Sequence, residues 1–162
     1  MKNTSVQPTG DIETILNRHG DMLYRLCVLM LKNESDAEDA VQETMIRYYQ
    51  KAPAFENAEH EKAWLIRVAT NQCRDLLRFR VRHPQMDEKY LSGISCDSSD
   101  TGILEALGEL PEKYRLVMTL YYIEDFRMED IAKIIGRTPS AVKMRLQKGR
   151  KLLEKIYQEA YL

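Results

Sequence analysis

The sequence predicts an all-α fold: two small helical domains joined by a flexible linker, the second domain containing a helix-turn-helix. Three observations carry that prediction. Apolar residues recur at three- and four-residue steps in both halves of the chain, the pattern of helices with one buried face. No convincing strand and no internal repeat is found. Between residues 83 and 102 the periodicity stops, and Pro84, Ser92, Gly93, Ser95, Ser98 and Ser99 beside Asp97 and Asp100 read as an acidic linker. The domains are accordingly placed at residues 1–82 and 103–162.

The first helix is expected from about Ile12 to Leu31. Ile12, Ile15, Leu16, His19, Met22, Leu23, Leu26, Cys27 and Met30 share one face, and near Leu31 the apolar band closes round the whole circumference. Asn33-Glu34-Ser35 interrupts the pattern. Ser35 and Glu38 then form an S-x-x-E capping box for a second helix, with Asp36 adding favourable charge in its first turn. Its inner stripe is read as Ala37, Val41, Thr44, Met45, Tyr48 and Tyr49, ending before Pro53. A loop with Pro53, Phe55 and Asn57 leads to a third helix with Leu65, Ile66, Ala69, Cys73, Leu76 and Leu77 inward and Trp64 and Val68 on the flank.

In the second half, Pro111 suits a helix start and Tyr114, Val117, Leu120 and Tyr121 supply a stripe. A short segment with Ile131, Ala132 and Ile135 is closed by Gly136. Thr138-Pro139 then gives an N-cap and a first-turn proline for a long basic helix, whose inner face is Val142, Leu146, Leu153 and Ile156. Gly149 inside that helix is expected to cost about 1 kcal/mol relative to Ala.

Composition narrows the function classes. With 44% apolar and 30% charged residues, the chain is soluble and foldable rather than disordered. Its longest apolar run, Leu26 to Leu31, is far short of the ~20 residues of a membrane span, and no secretory signal is evident, so a cytoplasmic location is expected. Cys27, Cys73 and Cys96 are an odd set without a C-x-x-C pair, which argues against a disulfide framework or a zinc knuckle. His19, His60 and His83 show no ligand spacing, and no phosphate loop or nucleophile motif is present. Neither an enzyme nor a cofactor is expected.

Charge is strongly segregated although the net value is −1. Residues 34–43 hold five acids and no Lys or Arg; residues 67–82 hold five arginines against Asp75 alone; residues 137–155 hold seven basic residues against Glu154 alone. Separated acidic and basic patches suit a protein with more than one kind of partner.

Residues 128–147 fit helix-turn-helix spacing, with small Ala132 at the crossing and Gly136 where the turn favours φ > 0. Ile131, Ile135, Val142 and Leu146 can fill the wedge. Arg137 in the turn and Ser140, Lys143 and Arg145 at the start of the second helix are the candidate base-reading residues. Lys148, Arg150, Lys151 and Lys155 lie further along and suit phosphate contacts. A basic helix is often only a solvated face, but spacing, cap and charge together favour DNA binding.

In the first half, the segment from Ser35 to Ile46 is amphipathic with an acidic exposed side, and Lys62 to Leu77 sets an aromatic beside arginines. Taken separately, each is ordinary: the first as helix capping, the second as a core tryptophan. Their order is more informative. Asp-Ala-Glu-Asp-Ala-Val-Gln-Glu, a Pro/Phe loop, Trp-Leu-Ile-Arg-Val-Ala-Thr-Asn, a linker and this helix-turn-helix closely resemble bacterial RNA polymerase sigma factors. The short two-domain layout resembles the ECF (extracytoplasmic function) group, over about residues 12–82 and 103–157.

The resemblance implies a regulator that binds core RNA polymerase, through the β′ clamp helices and the β subunit, and directs initiation at a specialised set of promoters. Asp39, Gln42 and Glu43 match the D-x-x-Q-E segment that meets the clamp. Phe55, Asn57, Trp64, Arg67 and Asn71 match the loop and helix that capture and help open the minus-ten element. Arg137, Ser140, Lys143 and Arg145 match the reader of the minus-thirty-five element, with Lys148, Arg150 and Lys151 on phosphates. The linker would thread toward the RNA exit path, and an anti-sigma factor would hold the protein inactive, at the membrane where that partner resides there. Leu65 stands where housekeeping members carry a second aromatic, Arg137 where an apolar residue is frequent, Met144 where a small hydroxyl residue is common and Gly149 where Ala is usual. The competing reading is a helix-turn-helix repressor or activator that binds duplex DNA without polymerase.

Overall fold

The computed structural model describes residues 11–82 and 101–162, and every regular element among them is helical. They divide into two compact units, parted between Glu88 and Lys89. The expected linker lies outside the described residues except for Thr101 and Gly102, which open the helix that follows it. No described helix is long and apolar enough to cross a membrane.

The first unit is α1 (Ile12–Leu31), α2 (Glu34–Lys51) and α3 (Ala58–Arg82), each packed on the other two. Asp11 caps α1, its carboxylate accepting from the Thr14 N–H at 2.9 Å. At its far end α1 is buried all round, from Leu26 to Leu31, as the sequence indicates. The chain then reverses in two residues. Lys32 takes a left-handed conformation (φ 54°), and Asn33 caps α2 by accepting from the Asp36 N–H at 2.9 Å. The expected Ser35–Glu38 capping box therefore does not form. So tight a reversal brings the first polar side chain after it to the open N–H groups, and Ser35 already lies within the helix. At the same junction Arg80 near the end of α3 donates to the Leu31 carbonyl at 2.8 Å and pairs with the Asp36 carboxylate.

The core of this unit is Leu23, Leu26, Cys27 and Met30 of α1, Ala37, Ala40, Met45 and Tyr48 of α2, and Leu65, Ile66, Ala69 and Cys73 of α3. Tyr49 is a correction to the sequence reading: it is 77% exposed. One residue past Tyr48 is a further 100° round the helix, beyond the arc that α1 and α3 cover.

One charged residue lies in this interior. Glu61 of α3 is 2% exposed. Its Oε1 accepts from Arg18 at 3.2 Å and lies 3.3 Å from His19 Nε2, both on α1, while its Oε2 accepts from the Tyr48 hydroxyl of α2 at 3.1 Å. Burial, reinforced by the hydrogen bond to Glu61 and its charge, pushes the Tyr48 phenol up to about 12, so it stays a donor. Burial also holds the His19 imidazole below its ordinary value near 6.5; Glu61 opposes that shift more weakly.

The second unit contains α4 (Thr101–Glu109), α5 (Glu112–Met118) running into a π-helical turn (Thr119–Ile123), α6 (Met128–Ile135) and α7 (Pro139–Tyr161). Helix α7 packs against α4, α5 and α6 and so organises the unit. The sequence reading gave no helix before Pro111. Ala106, Leu107 and Leu110 nonetheless bury one side of α4 and its end, and the buried Arg115 of α5 donates to the Gly108 carbonyl at 2.9 Å.

Gly149 also has a role that helix propensity does not show. It is buried where α7 meets α5, and a Cβ there would stand 3.0 Å from Met118 Cγ and 3.1 Å from its Sδ. The glycine is thus a site of close approach, and its propensity cost is offset by packing that a larger residue would disturb.

Two predictions follow from this packing. Gly149→Ala should gain less than the ~1 kcal/mol of helix propensity, because Met118 must shift, and Gly149→Leu should lose about 2 kcal/mol or more. Urea denaturation followed by far-ultraviolet circular dichroism measures both, and a full propensity gain for the alanine variant would contradict the packing argument. For His19, a folded-state value below the unfolded one means that the unfolded chain takes up the proton first as pH falls. The stabilisation is complete above about pH 6.5 and is lost below it. The urea midpoint reported by Trp64 should therefore drop between about pH 7.5 and pH 5.5, and drop less in His19→Gln, which keeps a donor toward Glu61 without a titrating ring.

Candidate nucleic-acid interface

In the second unit the helix-turn-helix is built as its residues require. Gly136 closes α6 at φ 68° and ψ 38°, and the Arg137 N–H reaches back to the Ala132 carbonyl at 2.9 Å. The Thr138 hydroxyl then accepts from the Ala141 N–H at 3.1 Å, with Pro139 in the first turn of α7. Ile131, Ala132 and Ile135 are buried on one side of the wedge, Val142 and Leu146 on the other.

With that face turned inward, Ser140, Lys143, Gln147, Lys148 and Lys151 are exposed, and so is Arg137 in the turn. Ser140, Lys143, Met144, Gln147 and Lys151 follow helical spacing along one outward face. Two predicted residues sit differently. Arg145 is partly buried on a flank, and Arg150 on the other flank donates to the Tyr122 hydroxyl at 2.9 Å, which fixes its guanidinium. Gln147 was missed because an uncharged amide gives no signal in a charge window. Its place one turn beyond Lys143 only appears once the buried face is known.

In the first unit, α2 carries Asp39 and Gln42 exposed and Glu43 partly so, with Glu43 accepting from Arg47 at 3.3 Å. The exposed acidic run continues into apolar Ile46, 48% exposed, and Tyr49. The first turn of the same helix adds Glu34 and Asp36, whose charge favours the helix dipole.

The loop from Ala52 to Asn57 is pinned at both ends. The Ala52 N–H reaches the Tyr48 carbonyl at 3.1 Å, and the Asn57 side chain accepts from the His60 N–H at 2.9 Å, capping α3. Asn57 therefore has a structural task beside the one the sequence suggested. Between these ends Phe55 turns back onto the helices. Its ring lies 6.2 Å from Tyr48, nearly parallel at 16°, and 5.9 Å from Trp64 at 63°; Tyr48 and Trp64 stand 6.0 Å apart at 71°. The structure thus brings two predicted residues, Phe55 and Trp64, together on a third ring read from sequence only as core. Arg67 and Asn71 are exposed and continue from Trp64 at i+3 and i+7 along α3. Partly buried rings beside a guanidinium and an amide are the kind of surface that suits a strand whose bases are splayed out.

Comparison with known proteins identifies the family. Residues 15–83 match the Sigma-70 region 2 family, and residues 101–153 match the Sigma-70 region 4 family. The chain is 32% identical to the RNA polymerase sigma factor SigV of Bacillus subtilis over 144 residues, 86% of this chain and 87% of that protein. It is 30% identical to the ECF RNA polymerase sigma factor SigW of the same organism over 161 residues, covering 87% and 86%. Among solved structures, the fold is similar to the sigma factor RpoE of Bartonella quintana, bound there to the anti-sigma factor NepR (TM-score 0.75, 23% identity, covering 91% of this chain and 97% of that one). It is also similar to CnrH in complex with the cytosolic domain of CnrY (TM-score 0.69, 24% identity, covering 93% and 89%). The competing reading of a repressor independent of polymerase is not favoured. Identity over nearly the full length of SigV and SigW places this chain in the ECF group of bacterial RNA polymerase sigma factors, the subunits that join core polymerase and direct it to promoters.

Proposed function

We propose that the two units divide the work of a specialised initiation factor, probing a melted strand with the first and duplex DNA with the second. The observation that carries this reading is the contrast between their surfaces: an aromatic, loop-capped site in the first unit and a cationic recognition helix in the second. Asp39, Gln42 and Glu43 on α2 dock on the β′ clamp helices of polymerase. Phe55, Asn57, Trp64, Arg67 and Asn71 take the minus-ten element. Arg137, Ser140 and Lys143 read the minus-thirty-five element with Arg145 at the edge of the contact, while Lys148, Arg150 and Lys151 hold phosphates. The linker between α3 and α4 would thread toward the RNA exit path. The polymerase supplies the chemistry, so the chain acts without catalytic side chains of its own.

An anti-sigma factor fits the same surfaces. The structural neighbour RpoE was captured with the anti-sigma factor NepR, and a protein covering α2 and α7 would block both steps at once. The factor works in the cytoplasm, and a membrane-anchored partner would keep it at the membrane until released.

Asp39→Ala combined with Glu43→Ala should weaken association with core polymerase while leaving the circular dichroism spectrum unchanged; undiminished core affinity would reject the docking assignment. Lys143→Ala should cost about 1–3 kcal/mol on its preferred upstream sequence and relax discrimination there, as expected for a base contact. Lys148→Ala should instead weaken all sequences alike and lower the salt dependence by about one counterion. Duplex binding of the holoenzyme across promoter variants and salt concentrations separates these outcomes.

A further inference from the structure

The Glu61 cluster lies directly beneath the aromatic loop, and nothing in the reading above uses it. We propose that Glu61 is a positioning residue for the minus-ten site: it holds Tyr48 from the interior, and Tyr48 holds Phe55 and Trp64 as a ready-made stacking surface for an unpaired base. This rests on the assignment of Phe55 and Trp64 to that site.

The geometry supports the chain of contacts link by link. Glu61 Oε2 accepts from the Tyr48 hydroxyl at 3.1 Å, and Tyr48 is 2% exposed, so water cannot take the place of that bond. Phe55 lies nearly parallel to that ring, and Trp64 meets both rings edge-on within about the separations that favour aromatic pairs. Glu61 is itself fixed from the other side, by Arg18 and His19 on α1. The backbone ties the two ends of this path together: the Glu61 N–H reaches the Asn57 carbonyl at 3.3 Å, one residue before α3 begins. The side chain of Glu61 thus reaches the ring under the loop from the same helical turn whose backbone closes the loop's exit into α3.

The functional consequence is preorganisation. A base that stacks on rings already held in place does not have to immobilise them, and each side chain so fixed in advance is worth about two- to tenfold in affinity. Aromatic stacking tolerates any base, so the effect falls on strand capture as a whole and leaves sequence choice to the polar side chains on α3.

Tyr48→Phe tests this most cleanly, because it removes a single oxygen and leaves the ring. Holoenzyme assembled from core polymerase and the full chain is titrated with a single-stranded non-template oligonucleotide carrying the minus-ten element and 2-aminopurine. Core affinity and binding to an upstream duplex are measured in parallel. Tyr48→Phe should weaken oligonucleotide binding about three- to tenfold with the other two affinities unchanged. Glu61→Leu should do the same and add nothing in combination with Tyr48→Phe, while Glu61→Gln, which keeps a hydrogen-bonding partner for the phenol, should restore most of the affinity. Wild-type oligonucleotide affinity in Tyr48→Phe overturns the proposal, as does a loss that core and upstream binding share in proportion. If Glu61→Leu does not fold, Tyr48→Phe decides alone. Trp64→Ala separates the levels: its failure to weaken the oligonucleotide removes the underlying site assignment, whereas a loss in Trp64→Ala with none in Tyr48→Phe removes only the role of Glu61.

Discussion

A carboxylate taken out of water has to be matched by donors, and in the first unit Glu61 finds them on both helices packed against its own. Arg18 and His19 come from α1 and Tyr48 from α2, so one side chain of α3 constrains all three helices at once. An apolar residue in that place would let the helices slide against one another over smooth surface. A buried ion has a sharp distance requirement, and removing any donor leaves charge uncompensated. The contribution is to geometry more than to stability: Arg18 remains 45% exposed, so much of its attraction is screened by solvent. What the cluster fixes is the place from which the Ala52–Asn57 loop departs and to which it returns.

The second unit solves its positioning problem by close approach. Helix α7 carries the outward cationic face, and its direction is set by what lies behind that face. Gly136 permits the turn from α6, the buried Val142 and Leu146 seat the first half of α7, and Gly149 lets α5 come near enough for Met118 to pack on the helix backbone. Arg150 is then held by Tyr122, in the π-helical turn that follows α5. A cation restrained in this way loses less side-chain freedom when it meets a phosphate than one that waits in solvent.

Most of this fold was legible in the sequence because helices announce themselves through period, cap and breaker. The turn at Gly136, the Thr138-Pro139 start of α7 and the span of α1 all followed from local chemistry. The errors arose where neighbours decide. The Asn33 cap replaced the Ser35–Glu38 box because Lys32 accepted a left-handed conformation that lysine alone does not signal. Helix α4 was hidden because Gly102 and Gly108 dilute its period at both ends. Gly149 looked like a defect, since propensity is a property of one helix and close packing is a property of two. At the candidate site, Phe55, Trp64, Arg67 and Asn71 could be named from order and resemblance, whereas Tyr48 and Glu61 could not. A tyrosine on an apolar stripe reads as core, and a glutamate in a charged first turn reads as solvated. Only the packing of three helices shows that the two meet.

The contrast between the units follows from the two forms of DNA they are assigned. A duplex presents a regular array of phosphates and grooves, so a straight helix with cations along one face is already complementary to it, and long-range attraction brings the two together. A melted strand offers no fixed shape. The protein has to supply the order, and on the proposed assignment rings held from behind by a buried hydrogen bond would supply it before the strand arrives. Both kinds of surface need rigid backing, but the first unit needs it more, since each unfixed ring would add its own entropy to that of the strand. The one buried carboxylate of the chain's first three helices stands where that demand is greatest.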